Sequence, residues 1–191
     1  MLRKPISYIL PILLLLAVSC GKSEQEKRSS AILESPELKE IEQLESKLKQ
    51  LTDLAEAQVV ARELAKKLLV ASDKYEKDSI AANLLYKIAR IEEHYFQDYT
   101  EAFGIYHAIS EDYPDTRFGA VSIFKQGLLM ETYFHKSDKA IYYMDEFLRK
   151  NPEHKLAKMA IDVIKSAGVD PEKLMERIEM EQKEESEQLE N

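Results

Sequence analysis

A single thiol, Cys20, stands between an apolar run and a charged one in AVSCGKSEQEK. With no second cysteine in the chain an internal disulfide is excluded, which leaves a thiolate nucleophile or a thiolate metal ligand as its reactive roles. Other chemistry-bearing residues are scattered. Ser46 with Lys49, and Ser122 with Lys125, match S-x-x-K, a spacing at which a lysine can activate a serine, but neither S-D-N nor K-T-G accompanies them. His94, His107, His135 and His154 form no H-E-x-x-H or other short ligand pattern, and consecutive Glu92, Glu93 and His94 fall on different faces of a helix. Five glycines, one of them beside Cys20, make no phosphate-cradling loop. Tyr86, Tyr95, Tyr133, Tyr142 and Tyr143 lie at helical spacing, a pattern expected of core aromatics. These residues propose no catalytic set, no metal site and no cofactor, so an enzyme is the disfavoured class.

The position of Cys20 points elsewhere. Arg3 and Lys4 precede thirteen mostly apolar residues, and Ala17, Val18 and Ser19 lead into the cysteine. A positive start, an apolar run and small residues at its end mark a targeting segment, too short and interrupted by Pro11 to read as a spanning helix. The segment resembles a bacterial lipoprotein signal, with Ala17 where that family more often has Leu. The resemblance implies cleavage before Cys20, acyl chains on its thiol and amine, and attachment to a membrane. Removing residues 1–19 leaves 25 Lys and Arg against 35 Asp and Glu, a net charge of −10. Such a surface repels nucleic acid and anionic lipid, whose phosphates reward positive charge. Residues 20–34, polar and charged, read as the lipidated cysteine and a flexible tether.

The elements that position everything else are helices. Ser35 and Pro36 suit an N-cap and a first helical residue. Leu38, Ile41, Leu44, Leu48, Leu51 and Ala55 then recur at three- and four-residue spacing on one helical face. Glycine and proline are scarce as far as Gly168, and strand-like alternation is absent. The segment starting at Asp73 (DKYEKDSIAANLLYKIA) aligns with those starting at Glu111 and Arg149, each 38 residues on. Ala89 and Gly127, Phe96 and Phe134, Ala102 and Ala140, Ile109 and Phe147, and Pro114 and Pro152 keep the same register. Small residues at 89/127 and 102/140 let paired helices approach, large ones at 96/134 and 109/147 fill between them, and the prolines end each second helix. Asp115-Thr116 and Ser137-Asp138 are expected to cap the helices that follow.

This pattern resembles the tetratricopeptide repeat (TPR), lengthened by four residues, or about one helical turn. It is similar to TPR lipoproteins of the bacterial outer membrane, most of all to an uncharacterised group in Bacteroidota-type bacteria and more distantly to the TPR lipoprotein of the β-barrel assembly machinery. The expected fold is all-α, a TPR-like solenoid of about eight helices over residues 35–180. A degenerate unit covers 37–76, two units cover 79–114 and 117–152, and a partial unit with its cap covers 154–180. Gly168 is placed as a C-cap, Asp170-Pro171 as the start of the last helix, and 181–191 as an acidic tail.

TPR solenoids bind extended peptides or a partner's helix on the face lined by their first helices. The resemblance places Asn83, Lys87, Arg90 and His94 from one unit, and Val121, Lys125, Leu128 and Thr132 from the next, on that face. Lys87, Arg90 and Lys125 either clamp a carboxylate or form a solvated face offsetting neighbouring glutamates. The implied protein is an outer-membrane, periplasm-facing lipoprotein that scaffolds a protein partner in envelope assembly. The alternative is a structural protein that associates with its own copies through the Leu38–Ala55 face or the acidic tail.

Overall fold

The computed structural model describes residues 35–75 and 79–189. Contacts divide the chain into Met1–Ser35 and Pro36–Asn191, and the helices belong to the second unit. Cys20, the signal and the tether lie outside the described residues. Eight α-helices fill the described part, which contains no strand. They are α1 (Pro36–Gln50), α2 (Leu54–Lys74), α3 (Ser79–Ile91), α4 (Tyr99–Asp112), α5 (Arg117–Thr132), α6 (Ser137–Lys150), α7 (Ala157–Ser166) and α8 (Pro171–Leu189).

Short polar connections make neighbours antiparallel, and capping groups set where each helix begins. Asp53 accepts a hydrogen bond from the Glu56 N–H at 2.9 Å, Asp98 from Glu101 at 2.9 Å, and Thr116 from Gly119 at 3.1 Å. Asp53 therefore divides what the sequence reads as one continuous face. Ile41 and Leu48 are buried, but Ala55 belongs to the next helix and is exposed. Ser137 is the first residue of α6 rather than its cap, and Lys136 in the cap position supplies no side-chain bond. Gly168 adopts φ +82°, the left-handed conformation that closes α7, with its N–H bonded to Lys165 O at 3.0 Å. α7 begins at Ala157, three residues after His154, because turns at 151–157 precede it. α8 continues to Leu189, through most of the stretch expected as a tail.

The core passes from hairpin to hairpin. Ile41 and Leu48 of α1 pack with Leu64 and Leu68 of α2 and Leu84 and Ile88 of α3. Ala82, Ala89, Ala102, Tyr106, Ile109 and Leu129 join α3 to α4 and α5. Phe124, Met144, Phe147, Ala160, Ile164 and Ile178 carry the apolar interior through α5, α6 and α7 to α8. Burial of a side chain such as Phe147, fully enclosed, stabilises by about 1.5–3 kcal/mol. A Cβ on Gly127 would sit 3.3 Å from Ala140 O and 2.9 Å from Met144 Cε, so the small residues do permit close approach. Contact is confined to helices one or two apart in order, the arrangement of a helical-repeat stack.

Helix spacing is not uniform. α3 and α5 start 38 residues apart (79 and 117), as do α4 and α6 (99 and 137), but α2 and α4 start 45 apart (54 and 99). The extra residues lie in α2 itself, which has 21 residues where α4 has 14. Between α3 and α4, Glu92–Phe96 form a π-turn, closed by Gln97 at φ 55° with its N–H on Glu92 O.

Candidate functional site

First and second helices of the hairpins are not equivalent. Among the described residues α3 approaches α5 more closely than α4 approaches α6, which meet through Phe103 set edge-on to Tyr143 at 5.8 Å; further on, α5 touches α7 and α6 touches α8. Between the second and third hairpins the first helices are thus the closer pair, and their side is called the inner one. The residues assigned to a partner from the sequence lie on α3, its π-turn and α5, and the geometry treats them differently.

Lys87 Nζ lies 2.6 Å from Glu45 Oε1 on α1, and Lys125 Nζ lies 2.7 Å from Glu93 Oε1 on the π-turn. These two lysines, 38 residues apart, each tie their first helix to the preceding one. Their charge is compensated within the fold, as in the second of the two readings of this face. Arg90 is exposed and makes no ion pair among the described residues. Asn83, Val121 and Leu128 are half-buried, Leu128 against the core that joins α5 to α6. Thr132 is exposed at the end of α5, and exposed His94 sets its ring edge-on to Tyr95 at 4.8 Å. The inner face therefore offers one uncompensated guanidinium, an amide, a hydroxyl and two aliphatic side chains.

Beneath it lies a polar network that sequence reading missed. Tyr106, fully buried on α4, donates its hydroxyl to Glu93 Oε2 at 3.0 Å, and Lys125 Nζ stands 5.7 Å from the Tyr106 ring centroid. Burial first, and then the Glu93 charge, push the Tyr106 phenol far above its usual range. Tyr86, 5.5 Å from both the Tyr106 and Phe118 ring centroids, is shifted the same way by burial, with Arg90 opposing. Gln126 on α5 donates from Nε2 to Ser110 Oγ at 3.0 Å and to Ser122 O at 3.2 Å. The signal available in the sequence was weak: Glu93 recurs at Glu131, but its partners are distant in sequence and the π-turn that aims it has no marker there.

The remaining candidates separate clearly. Ser122 Oγ is buried without a partner among the described residues, so it forms no pair with Lys125, and Ser46 and Lys49 are exposed. His107 stacks on Phe103, and His154 Nδ1 accepts the Leu156 N–H at 3.1 Å. Among the described residues no three His, Cys, Asp or Glu side chains cluster as metal ligands. Tyr86, Tyr95 and Tyr143 are half-buried, but Tyr133 and Tyr142 are exposed, so two of the five aromatics expected in the core are on the surface. The described helices include none long and apolar enough to cross a membrane. No protein-family model, no curated protein and no solved structure matches this chain.

Proposed function

We propose that the chain is a lipid-anchored scaffold of the bacterial cell envelope that binds a protein or peptide partner along its first helices, as TPR proteins do. The observation that carries this reading is the approach of α3 to α5 and of α5 to α7, which makes a continuous surface from successive hairpins. The Lys87–Glu45 and Lys125–Glu93 bridges support it by holding that surface in one shape before a partner arrives. Arg90 is the anchoring cation, with Asn83 and Thr132 as hydrogen-bonding groups and Val121 and Leu128 as apolar contacts. The signal-like run ending at Cys20 supports attachment to the outer membrane, facing the periplasm, in envelope assembly. The proposed role is binding rather than catalysis.

The Leu38–Leu48 stripe packs on α2 and α3, so it is internal and lends nothing to self-association. Sedimentation of the chain from Gly21 tests this directly. A monomer agrees with a free adaptor, and a tight dimer favours the structural alternative. Arg90→Glu then tests the face, and unchanged co-purification of a natural partner would remove it from consideration.

A further inference from the structure

α2 leaves one stripe of its outer side uncovered. Val59, Leu69 and Val70 are 70%, 52% and 57% exposed, although Ala61, Leu64 and Leu68 on the opposite side are buried. Arg62 and Lys66, both exposed, stand between them, and Arg62 is held with its guanidinium 4.6 Å from the Phe96 ring centroid. A shallow depression of about 470 Å³, lined by Ala55, Gln58, Val59, Arg62, Glu63 and Lys66, opens along the same stripe. Val59 and Val70 are eleven residues apart, or about 16 Å along the helix.

The place where the chain enters the domain gives this stripe an occupant. Lys74 pairs with Glu37, and Lys67 with Glu40 at 2.8 Å, which fixes the first turns of α1 against the last turns of α2. Pro36, where the domain begins, therefore lies at the end of α2 that carries Leu69 and Val70. Cys20 is fifteen residues earlier, a covalent reach of about 50 Å at most. Resting on the lipid-anchored reading of Cys20, we infer that the outer face of α2 lies on the membrane that holds the anchor. Val59, Leu69 and Val70 enter the boundary between headgroups and acyl chains, and Lys66 reaches lipid phosphates from an extended stem. The rest of the acidic domain is repelled by anionic headgroups, so this stripe, where Arg62 and Lys66 outnumber Glu63, sets the orientation and leaves the first-helix face available.

The chain contains no tryptophan, so an introduced indole reports alone. The mature chain is purified with its N-terminal modification and reconstituted in phosphatidylethanolamine and phosphatidylglycerol vesicles whose acyl chains are brominated near the headgroup. Val70→Trp and Leu69→Trp are expected to lose emission through bromine quenching. Met159→Trp, at an exposed site in the fourth hairpin, is expected to keep it. Acyl mass on Cys20 with equal emission at all three sites overturns the docking and leaves the anchor standing. Absence of acyl mass on Cys20 in cells overturns both. A dimer of the Cys20→Ser chain that Val70→Ser dissolves assigns the stripe to a second copy and overturns the docking.

Discussion

Lys125 Nζ lies 2.7 Å from Glu93 Oε1, across thirty-two residues of sequence and between two hairpins. The two side chains are only 16% and 20% exposed, so removing one leaves a poorly solvated charge on the other. Lys125→Met is expected to cost about 1–3 kcal/mol. Lys87→Met, at a pair 36% and 25% exposed, is expected to cost under about 1 kcal/mol. Urea midpoints at constant m-value measure both, and adding Glu93→Gln to Lys125→Met should recover part of the loss. Equal costs at the two lysines would contradict the assignment.

Tyr106 brings a dependence on alkaline pH. Its phenol is held protonated in the folded chain, while in the unfolded chain it ionises near pH 10. The folded state then binds more protons than the unfolded one above that pH, so stability is full below about pH 10 and falls as pH rises past it. Tyr106→Phe loses the Glu93 hydrogen bond at pH 7, about 1–3 kcal/mol, but is expected to show a shallower decline between about pH 9.5 and 11. Thermal midpoints across that range decide; parallel declines would count against the burial argument.

Glu92 on the π-turn is shifted upwards by burial first and then by the Asp98 and Glu101 charges. Ionisation there opposes folding at neutral pH, and the penalty disappears once the pH falls below the ordinary carboxylate range, where both states are protonated. Glu92→Gln is therefore expected to raise the thermal midpoint at pH 7 and to make no difference near pH 3. A gain of the same size at both pH values would place its origin elsewhere.

Two glycines should respond oppositely to alanine. On Gly119 a Cβ would lie 2.3 Å from Tyr113 O and 2.9 Å from Pro114 O, both backbone atoms of the α4–α5 turn. Gly119→Ala is expected to destabilise by about 1–3 kcal/mol. Gly104 is exposed on α4 with nothing within 4 Å of such a Cβ, and Gly104→Ala should stabilise by about 0.5–1 kcal/mol through helix propensity. Denaturation midpoints of the two variants check the pair.

The helices were legible because their signals are local. Apolar residues at three- and four-residue spacing, the Thr116 cap, and Gly168 at a left-handed position act over a turn or two of chain. Ala89, Ala102, Gly127 and Ala140 could be read as contact residues because the paired helices repeat at the same spacing. Asp53 was missed because Leu51 and Ala55 happen to continue the α1 pattern across the break. The inner face was half legible: its residues were named, but the partners of Lys87 and Lys125 were not. Glu45 and Glu93 lie 42 and 32 residues from their lysines, and a π-turn rotates Glu93 out of α-helical register. Nothing periodic in the sequence encodes that rotation.

Whether the first-helix face receives a protein partner is decided by a photocrosslinking amino acid placed singly in cells. It replaces His94 and Thr132 on that face, and exposed Tyr142 on α6 as the contrast. One discrete adduct with a different envelope protein is expected from positions 94 and 132, and none from 142. Adducts from position 142 alone, or adducts only between copies of this chain, would contradict it.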